Sequence, residues 1–171
     1  MSTLQVQTLQ GPTSGADSNT IRVADNHKLY AKGHVVQVQT FHLPASNGNL
    51  ATTSATFADS GAAVTITPKF SNSLIVCDFV ATMSKVPGAS TGSLNTRLLL
   101  NNVEYGSSYT AGYTDLASSY NPTVFKTVHE GLVAGTPVEF KLQYKSDVSG
   151  EFVILAYGES SVTMTVSEIA Q

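Results

Sequence analysis

The clearest regularity along the chain is an alternation of apolar and polar positions with a period of two. Val138-Glu139-Phe140-Lys141-Leu142-Gln143-Tyr144-Lys145 puts its apolar members on one face and its polar members on the other, as a strand with one buried side requires. Ser161 to Ser167 repeats the pattern, as does Ala63 to Thr67, and His34 to Phe41 follows it with one break. Leu74 to Val80 and Glu151 to Tyr157 are more continuously apolar, which predicts strands buried on both faces. Thr52 to Ala58, Leu94 to Leu100 and Thr123 to His129 are further strand candidates, rich in β-branched and aromatic residues. No stretch sustains apolar spacing at i, i+3, i+4, i+7, and Leu116 to Ser119 makes a helical turn at most.

Turn chemistry separates these runs. Asn47-Gly48, Asp59-Ser60-Gly61, Pro87-Gly88, Asn101-Asn102, Ala134-Gly135 and Ser149-Gly150 all predict chain reversals. Eight or so strands at this spacing predict an all-β sandwich or barrel. Residues 1–33 differ and form a second region. Leu4 to Leu9 is a short strand, Gly11 to Ser18 a turn-rich linker, and Thr20-Ile21-Arg22-Val23 and Lys28-Leu29-Tyr30-Ala31 are very short strands. None can bury a core alone. Residues 1–33 are therefore expected to be an extended arm that needs partners, with Leu4, Val6, Leu9, Ile21 and Val23 as its contact residues, ahead of a β-sandwich over residues 34–171.

Composition narrows the function classes. With 171 residues the chain suits one domain and a short appendage. Charged residues make up only 12%, against a usual share of about a quarter, and neutral polar residues take their place. The net charge of −3 gives no electrostatic case for nucleic acid. No apolar run approaches the roughly 20 residues of a membrane helix, and the Met1-Ser2-Thr3-Leu4-Gln5 start lacks the features of a signal peptide, so membrane insertion is not expected and assembly in a cytoplasm is. Cys77 is the single cysteine and reads as a small buried core residue.

Chemistry-bearing motifs are sparse. His27, His34, His42 and His129 lack metal-ligand spacing, and no cofactor loop, nucleophile elbow or spaced carboxylate pair is present. The expectation is no catalytic residue, no metal and no cofactor. A lectin or enzyme on the same sandwich remains the alternative from another class. One stretch stands apart. Tyr105 to Tyr120 holds four of the seven tyrosines, Tyr105, Tyr109, Tyr113 and Tyr120, among Ser, Gly and Thr. It reads as a long loop. Tyrosine provides rigid amphipathic contact area and Ser and Gly adaptable hydrogen bonds, so these residues either bind an outside ligand or pack across a subunit interface or the end of the domain.

Three consecutive pieces carry a resemblance: Gly33 to Thr40, Ala55 to Gly61, and Val64-Thr65-Ile66-Thr67-Pro68-Lys69-Phe70-Ser71-Asn72-Ser73-Leu74-Ile75-Val76. Together with the ending Val162 to Ala170 and the opening Ser2 to Gln10, they resemble a module of bacteriophage virion proteins from marine and freshwater phages, most specifically at Thr65-Ile66-Thr67-Pro68-Lys69. The resemblance implies a jelly-roll-like antiparallel β-sandwich in a homotrimer on the particle surface. It implies either a capsid decoration or cement protein tied by its arm to the major capsid protein, or a short tail fibre docked to tail proteins and touching a host receptor.

Overall fold

The computed structural model describes residues 31–44, 50–85, 92–105, 109–114, 120–146, 152–155 and 161–171. The chain divides between Ala31 and Lys32 into two units, and the sandwich belongs to the second. Its strands are β1 (Val35–Leu43), β2 (Leu50–Thr52), β3 (Ala58–Ile66), β4 (Leu74–Lys85), β5 (Gly92–Leu100), β6 (Val103–Glu104), β7 (Tyr109–Thr114), β8 (Tyr120–His129), β9 (Val138–Ser146), β10 (Phe152–Leu155) and β11 (Val162–Ile169). All described pairings are antiparallel.

Several short strands share one position in a sheet. β10 and β11 lie end to end along the same side of β4: Leu155 pairs with Thr82 and Thr163 with Val80. β1 and β2 lie end to end beside them, with Leu43 opposite Val162 and Leu50 opposite Ile154. β6 and β7 follow one another along β5. The described residues thus form eight strand positions. Numbered in chain order, they form one sheet of order 1-8-3-6 and a second of order 2-7-4-5. This is a jelly roll, two interleaved Greek keys closed into a sandwich.

The core lies between the sheets. β9 alternates without fault, burying Val138, Phe140, Leu142, Tyr144 and Ser146, and β11 buries Val162, Met164, Val166 and Glu168. β4 adds Ile75, Cys77, Phe79 and Ala81, and β3 adds Ala62, Val64 and Ile66. Burial, and after it the Asp78 charge, pushes the Cys77 thiol up to about 12, so it sits as an inert small apolar group.

Three sequence expectations need correction. Asp59-Ser60-Gly61 is not a reversal but a bulge inside β3, where the register against β9 shifts between Asp59 and Ala63. Gly61 takes φ +84°, and the buried Ser60 hydroxyl donates to the Leu142 carbonyl (2.8 Å) and accepts from the Ala62 amide (3.2 Å), so the bulge leaves its polar groups satisfied. Thr52 to Ala58 is not one strand: β2 ends at Thr52, and a bend stabilised by Ser54 and Thr56 leads into β3. β4 is not buried on both faces, because Val80 is 48% exposed and Asp78 pairs with Lys126 at the surface. Asn101-Asn102 does reverse the chain. Both residues have positive φ, joining Leu100 to Val103 in a two-residue hairpin that suits asparagine. The expected reversals at Asn47-Gly48, Pro87-Gly88 and Ser149-Gly150, and the helical turn at Leu116 to Ser119, lie outside the described residues.

Phe140 is fully buried on the inner face of β9. Replacing it with Ala removes a large core side chain and leaves a cavity, which should cost about 3–5 kcal/mol. Urea unfolding of Phe140→Ala against the parent checks this, and a loss under about 1 kcal/mol would place that face outside the core.

Candidate functional site

The arm residues Leu4, Val6, Leu9, Ile21 and Val23 lie outside the described residues, as does His27. The tyrosine-rich stretch is only partly the loop its composition suggested. Tyr105 follows β6, Tyr109 and Tyr113 belong to β7, and Tyr120 opens β8. Tyr109 pairs with Thr96 and Tyr113 with Ser93, with a register shift between them, while Tyr120 pairs with Ser84. The segment therefore crosses from an edge of one sheet to an edge of the other. The small residues Gly, Ser and Ala between the tyrosines obscure the apolar alternation that marks a strand elsewhere in the chain.

Tyr105 packs over the end of the core. Its ring lies 4.0 Å from that of His129, which is itself edge-on to Phe140 at 4.9 Å. His129 is fully buried and hydrogen-bonded through Nε2 to Thr127 Oγ1 (3.0 Å), and its Nδ1 has no partner. Burial holds its pKa below the ordinary histidine value. His34 and His42 lie on the exposed edge, with His42 Nδ1 3.2 Å from Thr163 Oγ1. Among the described residues no group of three or more His, Cys, Asp or Glu side chains could hold a metal ion.

The most tightly built polar cluster is one that sequence reading missed. Glu168 is fully buried at the end of β11. Its Oε1 accepts from the Lys69 amide (2.8 Å), the Phe70 amide (3.0 Å) and the Ser73 hydroxyl (2.8 Å). Its Oε2 accepts from Gln37 Nε2 (2.6 Å) and, at 3.0 Å, from the Lys69 amide. Gln37 Nε2 also reaches the Thr67 carbonyl (2.7 Å). Pro68 ends the β3 ladder, and the two amides after it point together into the carboxylate, as in an anion-binding backbone concavity. Burial pushes the Glu168 pKa up, but the hydrogen bonds from Lys69, Gln37, Ser73 and Phe70 together outweigh it and hold the carboxyl below its usual range. A signal for this cluster existed: Glu168 continues the parity of Val162, Met164 and Val166, so a strand reading places it inward, where a charge must be hydrogen-bonded.

The two outer faces differ. On the sheet containing β9, Arg97 bonds Gln143 (2.9 Å) and Glu104 (2.6 Å), Gln143 bonds Asp59 (2.6 Å), and Lys141 lies near Asp59 and Glu139. Arg97 also stacks on the Phe57 ring at 4.3 Å, with Lys145 at 5.1 Å. The face formed by β1, β11, β4 and β8 carries Val38, Thr40, Thr163, Thr165, Ser167, Val80 and Val128 around one Lys126–Asp78 pair (3.3 Å). A shallow cleft of about 350 Å³ lies beside it, lined by Ser71, Asn72, Leu74, Glu130, Gly131 and Gln171.

No protein-family model and no curated protein matches this chain. Solved structures with a similar shape include the VP2 subviral particle of infectious bursal disease virus, with 14% identity, a TM-score of 0.46, and coverage of 93% of this chain and 40% of that one. They also include the tripod from the baseplate of bacteriophage Tuc2009 (16%, TM-score 0.38, 99% and 84%) and the sugar-binding EclA C-terminal domain (13%, TM-score 0.34, 88% and 92%). This chain spans less than half the length of the VP2 chain. The fold stands on its strand pairings, and likenesses at these scores carry no functional argument.

Two of the buried ionisable groups, His129 and Glu168, tie stability to pH with the same sign. His129 has a lowered pKa in the fold, so as pH falls through about 6.5 the unfolded chain takes up the proton first and stability declines. Glu168 also has a lowered pKa, so its contribution is present above about 4.5 and is lost as pH falls through the folded value. Urea midpoints measured from pH 8 to 3 should show both declines. His129→Phe should flatten the upper one, and Glu168→Gln should flatten the lower one and cost about 2–3 kcal/mol at pH 7, where its amide opposes donors that the carboxylate accepts. Unchanged slopes in the variants would remove these two groups as the cause.

Proposed function

We propose that the chain is a non-enzymatic structural protein of a bacteriophage virion: a homotrimeric decoration or cement protein on the particle surface, fastened to the major capsid protein by its arm, residues 1–33. The observation that carries this reading is the Glu168 cluster. The part of the sequence most specific to the phage module is the strand exit Thr65-Ile66-Thr67-Pro68-Lys69, and the ending Val162 to Ala170 resembles that module's close. They are far apart in the chain, and Glu168 joins them through hydrogen bonds to Lys69, Phe70 and Ser73. The resemblance therefore follows one built element of the fold rather than scattered similarity. The jelly-roll topology suits a surface shell protein, and a face that among the described residues is mostly Val, Thr and Ser with one ion pair suits contact with another protein more than with a charged ligand. Three linked arms make weak single contacts collectively strong.

A short tail fibre is the second reading. The concentration of Tyr105, Tyr109, Tyr113 and Tyr120 among Ser, Gly and Thr favours it, because that is the composition of a recognition surface.

Labelling of intact particles with copy-number determination separates these readings. Copies at symmetry-related positions over the head are expected, a few copies confined to the tail would establish the fibre, and absence from the particle would end both. Deleting residues 1–18 should leave the sandwich folded and abolish attachment. A truncated chain that still decorates particles would show that the arm is not the fastening element.

A further inference from the structure

Among the described residues the sandwich has four sheet edges, and three carry features that discourage another strand. β8 contains Pro122 and Lys126, β3 is broken by its bulge between Asp59 and Ala63, and β7 shifts register against β5. β1 differs. From Gln37 to Leu43 its pairing with β11 runs without a break, and Val38 to Leu43 contains no proline and no Lys, Arg, Asp or Glu. Among the described residues β1 pairs only with β11, and Val38, Gln39, Thr40 and His42 are exposed. A plain edge of this length presents a row of backbone donors and acceptors that will take a further strand.

The sequence of the arm supplies a matching strand. Leu4-Gln5-Val6-Gln7-Thr8-Leu9 repeats Val36-Gln37-Val38-Gln39-Thr40-Phe41, identical at the four central positions and apolar at both ends. In β1, Val38 and Thr40 lie on the outer face, while Phe41 packs against the core. A strand with the same alternation set beside β1 places Val6 and Thr8 with the outer Val and Thr residues, and Leu9 on the core side near Phe41.

We propose that the segment Leu4–Leu9 of a second copy of this chain adds to the sheet along Val38–Leu43 of β1. This rests on the arm reading above and gives it an acceptor. The contact is heterologous, since arm meets edge. Repeated around a three-fold axis it closes, pairing Leu4–Leu9 of each chain with β1 of the next and leaving the rest of the arm to reach the capsid. Both halves of the contact lie in this one chain with matched sequences, which is why the occupant is a second copy rather than a coat subunit.

The test uses the full-length protein, Val6→Pro and Thr40→Lys, with native mass spectrometry and amide hydrogen exchange. Val6→Pro removes a donor from the incoming strand, and Thr40→Lys places a charge on the receiving edge. The parent is expected to be a trimer and both variants monomers. In Val6→Pro, exchange within residues 38–43 should accelerate on the order of tenfold, while β9 and β11 keep their protection. Excess synthetic peptide of residues 2–10 should dissociate the parent trimer. A Val6→Pro trimer with residues 38–43 still protected, or a parent chain that is monomeric at every concentration, would overturn the contact. A polymer that grows with concentration would overturn ring closure. Particle labelling of the parent is read separately: absence from virions defeats the proposed role and leaves the strand contact standing, whereas a virion protein whose trimer survives Val6→Pro defeats only the contact.

Discussion

A single buried carboxylate sets how this sandwich closes at one end. Glu168 sits on the inner face of β11 with no exposure to water, so every lone pair it presents must find a donor inside the protein. The donors come from the neighbouring strand and from the connection between the sheets: Gln37 from β1, and Lys69, Phe70 and Ser73 from the link between β3 and β4. In a jelly roll that link carries the chain from one sheet to the other, and nothing in the ladders fixes its path. The carboxylate does. Its demand for hydrogen bonds orients the amides after Pro68 and sets where β4 begins beside β11. Gln37, held to both Glu168 and the Thr67 carbonyl, ties β1 into the same knot. Close hydrogen bonds to a charged acceptor are stronger than neutral ones, and leaving any of these donors unmet would be costly.

Two neighbouring strand positions share a further constraint. The columns formed by β1 with β2 and by β11 with β10 both break at the same level, with Leu43 opposite Val162 on one side of the break and Leu50 opposite Ile154 on the other. β4 crosses that level without interruption, since Ala81 alone separates the residues paired with Leu155 and Thr163. The continuous strand keeps both halves in one sheet. A long central strand thus carries the interrupted β10–β11 column, which in turn carries β2 and β1, and pairing to β4 fixes the register of β10 and of β11 separately.

Much of this was legible in the residues, and the reasons are specific. β9 and β11 were plain because one face is buried and the other is wet, so Val138 to Ser146 and Val162 to Ile169 alternate cleanly. β3 was misjudged at Asp59-Ser60-Gly61 because turn residues and bulge residues are the same residues: each position needs positive φ or a side chain that bonds its own backbone. The apolar run of β4 suggested two buried faces, yet the outer one carries Val80 half exposed beside an ion pair, which β-branched side chains tolerate on a pleated surface. The strand β7 was hidden by Gly, Ser and Ala. Glu168 was readable by parity alone, but its partners were not, because a contact across about 100 residues is decided by the fold and not by local pattern.

The asymmetry of the surface completes the argument. On the sheet of β3, β9 and β5, charges are met by charges and amides within the same chain: Arg97 by Glu104 and Gln143, Asp59 by Gln143 and Lys141. Such a face is complete in water and gains little from a partner, since exposed ion pairs are worth little and lose their hydration on docking. The opposite sheet has the reverse character. Apart from the Asp78–Lys126 pair, the outer residues described on β1, β11 and β4 are mostly Val, Thr and Ser, which cost little to desolvate, and the sheet ends in the edge of β1, paired without a break from Gln37 to Leu43. Backbone groups on such an edge are satisfied equally by water or by a strand, so what tips the balance is apolar area buried alongside the ladder. Val38 at 50% exposure is the part of that edge with most to gain. In the proposed contact, an arm whose sequence repeats that of β1 would cover both the backbone row and the valine in one step, so that association would be written twice in the sequence, once as the edge and once as the strand that fits it.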